Sequence, residues 1–184
     1  MAIKEEKVTK KTLEYFNGDE LATNVWITKY ALKNKFGELL ESTPDDMHKR
    51  MASEFARIEG KYPNSLSKDE IYDLLKNFKY IVPQGSPMMG IGNNHVNVSL
   101  SNCVVVDSPS AIVDTGKDLA NLFKRRCGVG VDISDLRPEG SPVNNSAGTT
   151  SGAWSFADFY SYVCRMIGQN GRRGALMITM DIRH

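Results

Sequence analysis

The residue types that could do chemistry gather in three stretches of this chain. The first is Pro83-Gln84-Gly85-Ser86-Pro87-Met88-Met89-Gly90, which leads to Ser99-Leu100-Ser101-Asn102-Cys103. The second is Arg125-Arg126-Cys127-Gly128-Val129-Gly130-Val131-Asp132-Ile133, running on into Leu136-Arg137-Pro138-Glu139-Gly140-Ser141-Pro142. The third is Gly168-Gln169-Asn170-Gly171-Arg172-Arg173-Gly174-Ala175. Hydroxyls, small side chains and backbone N–H groups can approach phosphate oxygens closely. A guanidinium can clamp a phosphate, and a thiol can reduce a substrate when a second thiol reaches bonding distance. Each stretch also has a plainer reading. Ser-Pro and Gly-x-Gly make turns in any case, a lone cysteine is more often a buried packing residue, and arginines in a loop are commonly surface residues. The run Val129–Ile133 looks superficially like a dinucleotide fingerprint but lacks the GxGxxG form, which excludes a Rossmann reading.

The elements that must position these residues fall into two styles. Residues 1–80 read as a helical domain, with a mixed apolar face at Val25, Ile27, Tyr30 and Ala31. Thr43-Pro44-Asp45-Asp46 is a helix start: a capping hydroxyl, a proline suited to the first turn and two acids at its positive end. Met47, Met51, Phe55 and Ile58 then fall on one stripe. Ser67-Lys68-Asp69-Glu70 is a capping box, followed by Ile71, Leu74, Leu75 and Phe78 on one face. From 81 to 184 short apolar runs alternate with helices. Strands are expected at Val104–Val106, Val129–Ile133 and Ala175–Ile182. Helices are expected at Leu119–Arg126 and from Ser155, the latter turning Phe156, Phe159, Val163, Met166 and Ile167 inward. The alternation predicts an α/β fold with a largely parallel sheet or barrel, its near-continuous apolar strands buried on both faces. About three such strands are too few to close a barrel, so the sequence predicts a fold completed by another polypeptide or cut short at His184.

Composition narrows the function classes. Lys and Arg number 23 against 22 Asp and Glu, a formal net charge of +1, which removes a whole-chain electrostatic argument for nucleic acid or membrane binding. The basic groups Lys124-Arg125-Arg126 and Arg172-Arg173 have no accompanying aromatic stripe for single-stranded nucleic acid. The three cysteines, Cys103, Cys127 and Cys164, make no CxxC pair, and with three histidines they form no recognisable zinc set, so no metal site is expected. An odd cysteine count and a start without a signal-like apolar core predict a reducing, cytoplasmic setting, and no apolar run has membrane-spanning length.

Taken together, in this order and spacing, the three motif stretches closely resemble the large (alpha) subunit of ribonucleotide reductases. The resemblance runs loosely from about Leu21 and tightly from about Val82 to the end. It implies an N-terminal helical domain followed by the opening strands of an incomplete ten-stranded α/β barrel, without a preceding ATP cone. It implies that Cys103 is one of the thiol pair that reduces the ribose and becomes a disulfide. Ser86, Ser101, Asn102 and Gly128, with Cys103, would line the substrate diphosphate and ribose. Asp107, Ser108 and Arg137 would form the specificity site, where a deoxynucleoside triphosphate selects the base to be reduced. At the close of that loop Asn144 stands where many members carry a second arginine, leaving fewer cations for the phosphates. Gln169, Asn170, Gly171, Arg172 and Arg173 would be the loop joining effector site to substrate site. Cys127 and Cys164 have no motif support and read as packing residues.

The same resemblance sets expectations for partners. The thiyl-radical cysteine, the second cysteine of the pair and the thioredoxin-facing cysteines would all lie after His184, so this chain alone is expected not to turn over. The expected partners are the C-terminal remainder of the reductase, a ribonucleotide, a dNTP or ATP effector, a radical-generating small subunit and thioredoxin, with a homo-oligomer as the complete form. No cofactor is expected on this segment itself. The radical source, a metal-containing small subunit or adenosylcobalamin, stays open, as does di- or triphosphate substrate. The competing reading is a non-catalytic dNTP-binding or assembly module derived from the same enzyme.

Overall fold

The computed structural model describes residues 5–107, 111–167 and 174–184, which divide into two compact units, 1–100 and 101–184. The division falls after Leu100, so the glycine- and serine-bearing stretch from 81 to 100 belongs to the first unit.

The first unit is built from α1 (Glu5–Tyr15), α2 (Glu20–Lys29), α3 (Pro44–Glu59), α4 (Lys68–Leu75) with a single 3-10 turn after it (Lys76–Phe78), and the short α5 (Gly85–Gly90). Helix α1 stops where Asn17 and Gly18 take positive φ, and Gly18 N–H donates back to the Leu13 carbonyl, satisfying a carbonyl the helix end would otherwise orphan. Helix α2 is capped by Asp19, whose carboxylate accepts the Ala22 N–H. Pro44 opens α3, but Thr43 makes no side-chain cap; Asp46 reaches back instead and accepts the Ser42 N–H at 2.8 Å. The capping box at Ser67 and Glu70 forms in both directions. Val8, Trp26, Met47, Met51, Ile71 and Leu75 make the core. Phe55 and Ile58, which share a stripe with Met47 and Met51, are more than a third exposed, and Phe55 lines an apolar cleft with Ile71, Leu74 and Leu75 of α4.

The second unit is a three-stranded parallel sheet in the order β1 (Cys103–Val106), β2 (Gly128–Asp132), β3 (Leu176–Thr179), crossed by α6 (Ile112–Lys124) and α7 (Ala153–Met166). The register pairs Cys103 with Gly128, Val105 with Gly130, Gly130 with Met177 and Asp132 with Thr179. Since side chains alternate across a strand, this register puts Val104, Val106, Val129, Val131, Leu176 and Ile178 on one face. There they meet Leu119, Phe123, Tyr160 and Val163 of the two helices. The other face carries Cys103, Val105, Met177 and Thr179, and Val105 is 83% exposed.

Two expectations are corrected here. The strands are not buried on both faces: only β2, with a neighbour on each side, is largely buried, and β1 and β3 alternate between exposed and half-buried residues. The inward stripe of α7 is Ala153, Tyr160, Val163 and Cys164, whereas Phe159 and Met166 are exposed. The described residues form an open sheet of three strands, consistent with the start of an α/β barrel.

Candidate active site and effector cavity

The stretch Ser101-Asn102-Cys103 enters β1, is held to the start of β2 by two hydrogen bonds and is braced by a third within itself. Gly128 N–H donates to the Asn102 carbonyl at 2.7 Å, the Cys127 thiol donates to the Ser101 carbonyl at 3.5 Å, and the Ser101 hydroxyl donates to the Cys103 carbonyl at 3.1 Å. Cys103 is exposed on the uncovered face, so the plainer reading of a buried core cysteine does not apply to it. Beside it a Cβ at Gly128 would lie 3.5 Å from the Cys103 sulfur and 3.4 Å from the Ala175 Cβ, so glycine keeps the flank of the thiol open.

The other two cysteines are buried. Cys127 precedes Gly128 and therefore points to the opposite face from Cys103, which removes it as the second member of a thiol pair. Burial pushes the Cys164 thiol up, away from the reactive thiolate.

At the C-terminal ends of the strands, on the same open face, Thr179 donates to Asp132 at 2.7 Å and Ser134 N–H donates to the other Asp132 oxygen at 2.8 Å. These bonds, that from the Ser134 hydroxyl and that from Thr179 foremost, hold the Asp132 carboxyl below the usual range. Sequence reasoning missed this pair. Its signal was the period of two, which carries Gly128 and Gly130 on to Asp132.

Arg137 and Asn144 line one cavity of about 610 Å³, together with Asp135, Thr149, Thr150 and Ser151. The loop that shapes it is a small antiparallel arm. Pro142 bridges to Thr149, Thr150 N–H donates to the Ser141 carbonyl, and Gly148 turns the chain with positive φ. Arg137 is exposed and spends one N–H on the Pro142 carbonyl at 2.8 Å, which fixes it against the arm. The hydroxyl run Thr149-Thr150-Ser151 was visible in the sequence but carried no motif.

The structure thus brings together Ser101, Asn102, Cys103 and Gly128, and separately Arg137 with Asn144. Asp107 is exposed just past β1 and is not among the residues lining the cavity. Ser86 lies in the first unit, buried in the first turn of α5. Ser108 and the loop residues Gln169, Asn170, Gly171, Arg172 and Arg173 lie outside the described residues. Among the described residues no group of three or more His, Cys, Asp or Glu side chains is placed to hold a metal, and no helix is long and apolar enough to cross a membrane.

Known proteins place this arrangement. Residues 16–95 match the model of the ribonucleotide reductase all-alpha domain, and residues 101–184 match that of the ribonucleotide reductase barrel domain. The chain belongs to the ribonucleotide reductase family. A vitamin B12-dependent ribonucleoside-diphosphate reductase from Mycobacterium tuberculosis (strain ATCC 25618 / H37Rv) is 31% identical over 170 residues, 89% of this chain and 24% of that protein. The ribonucleoside-diphosphate reductase subunit alpha of Helicobacter pylori is 26% identical over 173 residues, 92% of this chain and 21% of its own length. A vitamin B12-dependent reductase from Thermoplasma acidophilum is 34% identical over 107 residues, 56% of this chain and 14% of that protein. The chain therefore spans about a quarter or less of these reductases. The boundary between the two matched domains coincides with the division between the two compact units.

Proposed function

We propose that this chain supplies the opening part of a ribonucleotide reductase that converts ribonucleotides to 2′-deoxyribonucleotides, with Cys103 as one thiol of the reducing pair. The observation that carries the reading is the placement of Cys103: exposed on the uncovered face of a parallel sheet, with a glycine at its flank. In this reading the three strands open the ten-stranded barrel and the uncovered face is turned to the substrate. Ser86, Ser101, Asn102 and Gly128 are the diphosphate and ribose contacts in this reading. The second thiol, which donates the other electron and hydrogen and closes the disulfide with Cys103, comes from the remainder of the reductase. The radical source is bound outside this segment.

The cavity holding Arg137 and Asn144 is the effector site in the same reading. Arg137 pairs with phosphate, and Asn144 and the hydroxyls of Thr149, Thr150 and Ser151 supply neutral hydrogen bonds, while the resemblance alone adds Asp107 and Ser108 for the deoxyribose or base. The joining loop Gln169–Arg173 links it to the substrate. Complementation tests the proposal. The chain should give no turnover alone and should gain ribonucleotide reduction when the remaining reductase polypeptide, a radical source and a dithiol are added. Full turnover by the chain alone, or none in the complemented mixture, would contradict it.

A further inference from the structure

The 3-10 turn that follows α4 is held in a conformation its residues do not favour. Asn77 and Phe78 both sit at positive φ, 57° and 55°. Asparagine tolerates that region, but for a bulky side chain such as Phe78 it is strained. Such strain persists only where the surroundings impose it, and it gathers in segments that change state. What imposes it here is the Phe78 ring, partly buried against the helical core and edge-on to His48 at 4.5 Å.

His48 can serve as that seat only while it is neutral. It has no exposure, and neither ring nitrogen bonds to any described residue. A protonated ring would be a buried charge with two unmet donors. The groups around it offer no relief. Asp45, one turn earlier on α3, is the charge that acts on it. That carboxylate already accepts from Tyr72 of α4 at 2.5 Å and pairs with Lys49 at 2.7 Å. Tyr15 of α1 faces Asp45 with a neutral phenol. The turn itself brings cations, Lys76 over the Tyr72 ring at 5.5 Å and then Lys79 over the Tyr80 ring at 4.7 Å. Beyond the turn, Ile81 N–H donates to the Leu74 carbonyl at 3.0 Å and ties the following segment back to α4. There Ile81 and Pro83 wall an apolar cleft of about 360 Å³ with Phe55, Ile71 and Leu74.

We propose that the His48–Phe78 contact is a proton-operated latch: when His48 takes up a proton, Phe78 is released, the strained turn relaxes, and residues 79–83 lift from α4 and open the cleft. The closed latch excludes the proton, and the open one accepts it at the ordinary histidine value of about 6.5. Opening is therefore favoured as pH falls below about 6.5, by about tenfold for each unit, down to the lower value that burial gives the closed form. Amide exchange in the full chain, followed by NMR from pH 7.5 to 5.5 at several low urea concentrations, tests the latch. The Ile81 amide reports the latch, and the Met51 amide, in the buried middle of α3, reports unfolding of the whole unit. Corrected for intrinsic exchange, Ile81 opening should rise about tenfold per pH unit below about 6.5, with little dependence on urea. Met51 should exchange more slowly and with a steep urea dependence.

His48→Leu should abolish the pH slope at Ile81. Should that variant not fold, Phe78→Gly takes its place: glycine accepts the positive φ and bares His48 to water, so Ile81 should exchange fast and without the slope. An Ile81 amide that opens only with the urea dependence of Met51 would overturn the latch, because the turn would then move only in global unfolding. A missing pH slope in the unsubstituted chain, or a slope that survives in either variant, would overturn it as well.

Discussion

The two units treat polar groups in opposite ways. In the first, Glu41, His48 and Ser86 are almost wholly removed from solvent, and α3 carries both a guanidinium on a side chain only 12% exposed and a histidine with no exposure at all. In the second, the buried side chains among the described residues are apolar apart from Thr115, and the chemically able groups, Cys103, Asp132 and Thr179, stand on the face that neither helix covers. In the helical unit the Glu41–Arg50 pair fixes backbone groups of its own neighbours. The sheet unit buries one face against its helices and leaves the other exposed. The proposed function calls for both, since a thiol proposed to exchange with substrate and partner must be reachable, while the scaffold around it must not drift.

The largest test of this contrast is on the covered face. Phe123 is fully buried against the sheet, so Phe123→Ala should cost ~3–5 kcal/mol, read as a drop in urea midpoint of the second unit. A cost under ~1 kcal/mol would show that this core is not what holds the sheet.

Acid should find the first unit before the second. His48 is buried with neither ring nitrogen bonded, its ring edge-on to Phe78 at 4.5 Å. Burial lowers its pKa below the ordinary 6.5, against a smaller opposing pull from Asp45. The unfolded chain therefore takes up a proton that the folded unit resists. Stability from this group is complete above about 6.5 and is lost as pH falls from there towards the folded value. Urea midpoints between pH 7.5 and 5 should fall, and His48→Leu should flatten that slope. A slope that persists in the variant would place the acid sensitivity elsewhere. At the other end of the scale, Asp45 holds the Tyr72 hydroxyl through a 2.5 Å bond, which with burial pushes that phenol up to about 12.

A smaller effect is expected at the cavity. Arg137→Ala should weaken dNTP binding about tenfold, measured by equilibrium dialysis, through loss of one phosphate partner and of the bond that fixes the Pro142 arm. Unchanged affinity would remove Arg137 from the proposed effector site. The smallest effect is on the uncovered face, where Val105→Thr should change stability by less than about 0.5 kcal/mol. A large loss there would mean the face is covered after all.

Much of this was legible in the sequence. The helix starts at Pro44 and Lys68 and the three parallel strands follow from turn chemistry and apolar runs, and the motif order pointed to the family. Three features were not legible, each for a physical reason. Apolar residues surround most of α7, so counting them cannot choose between Phe159 and Tyr160; only the position of the sheet does. A run such as Val104-Val105-Val106 looks the same buried on one face or two, and the difference lies in which neighbours are present. The Glu41–Arg50 pair joins residues whose charges read as ordinary surface charges until α5 closes over them. The exposure of Cys103 could have been found earlier, because the strand begins at the cysteine and sets it in phase with Val105.

The most direct test of the account is Cys103→Ser in the complemented reductase, assayed for deoxyribonucleotide formation with a dithiol as reductant. The account predicts that multiple turnover is abolished while Cys127→Ser and Cys164→Ser retain it. Sustained turnover by the Cys103→Ser protein would contradict it.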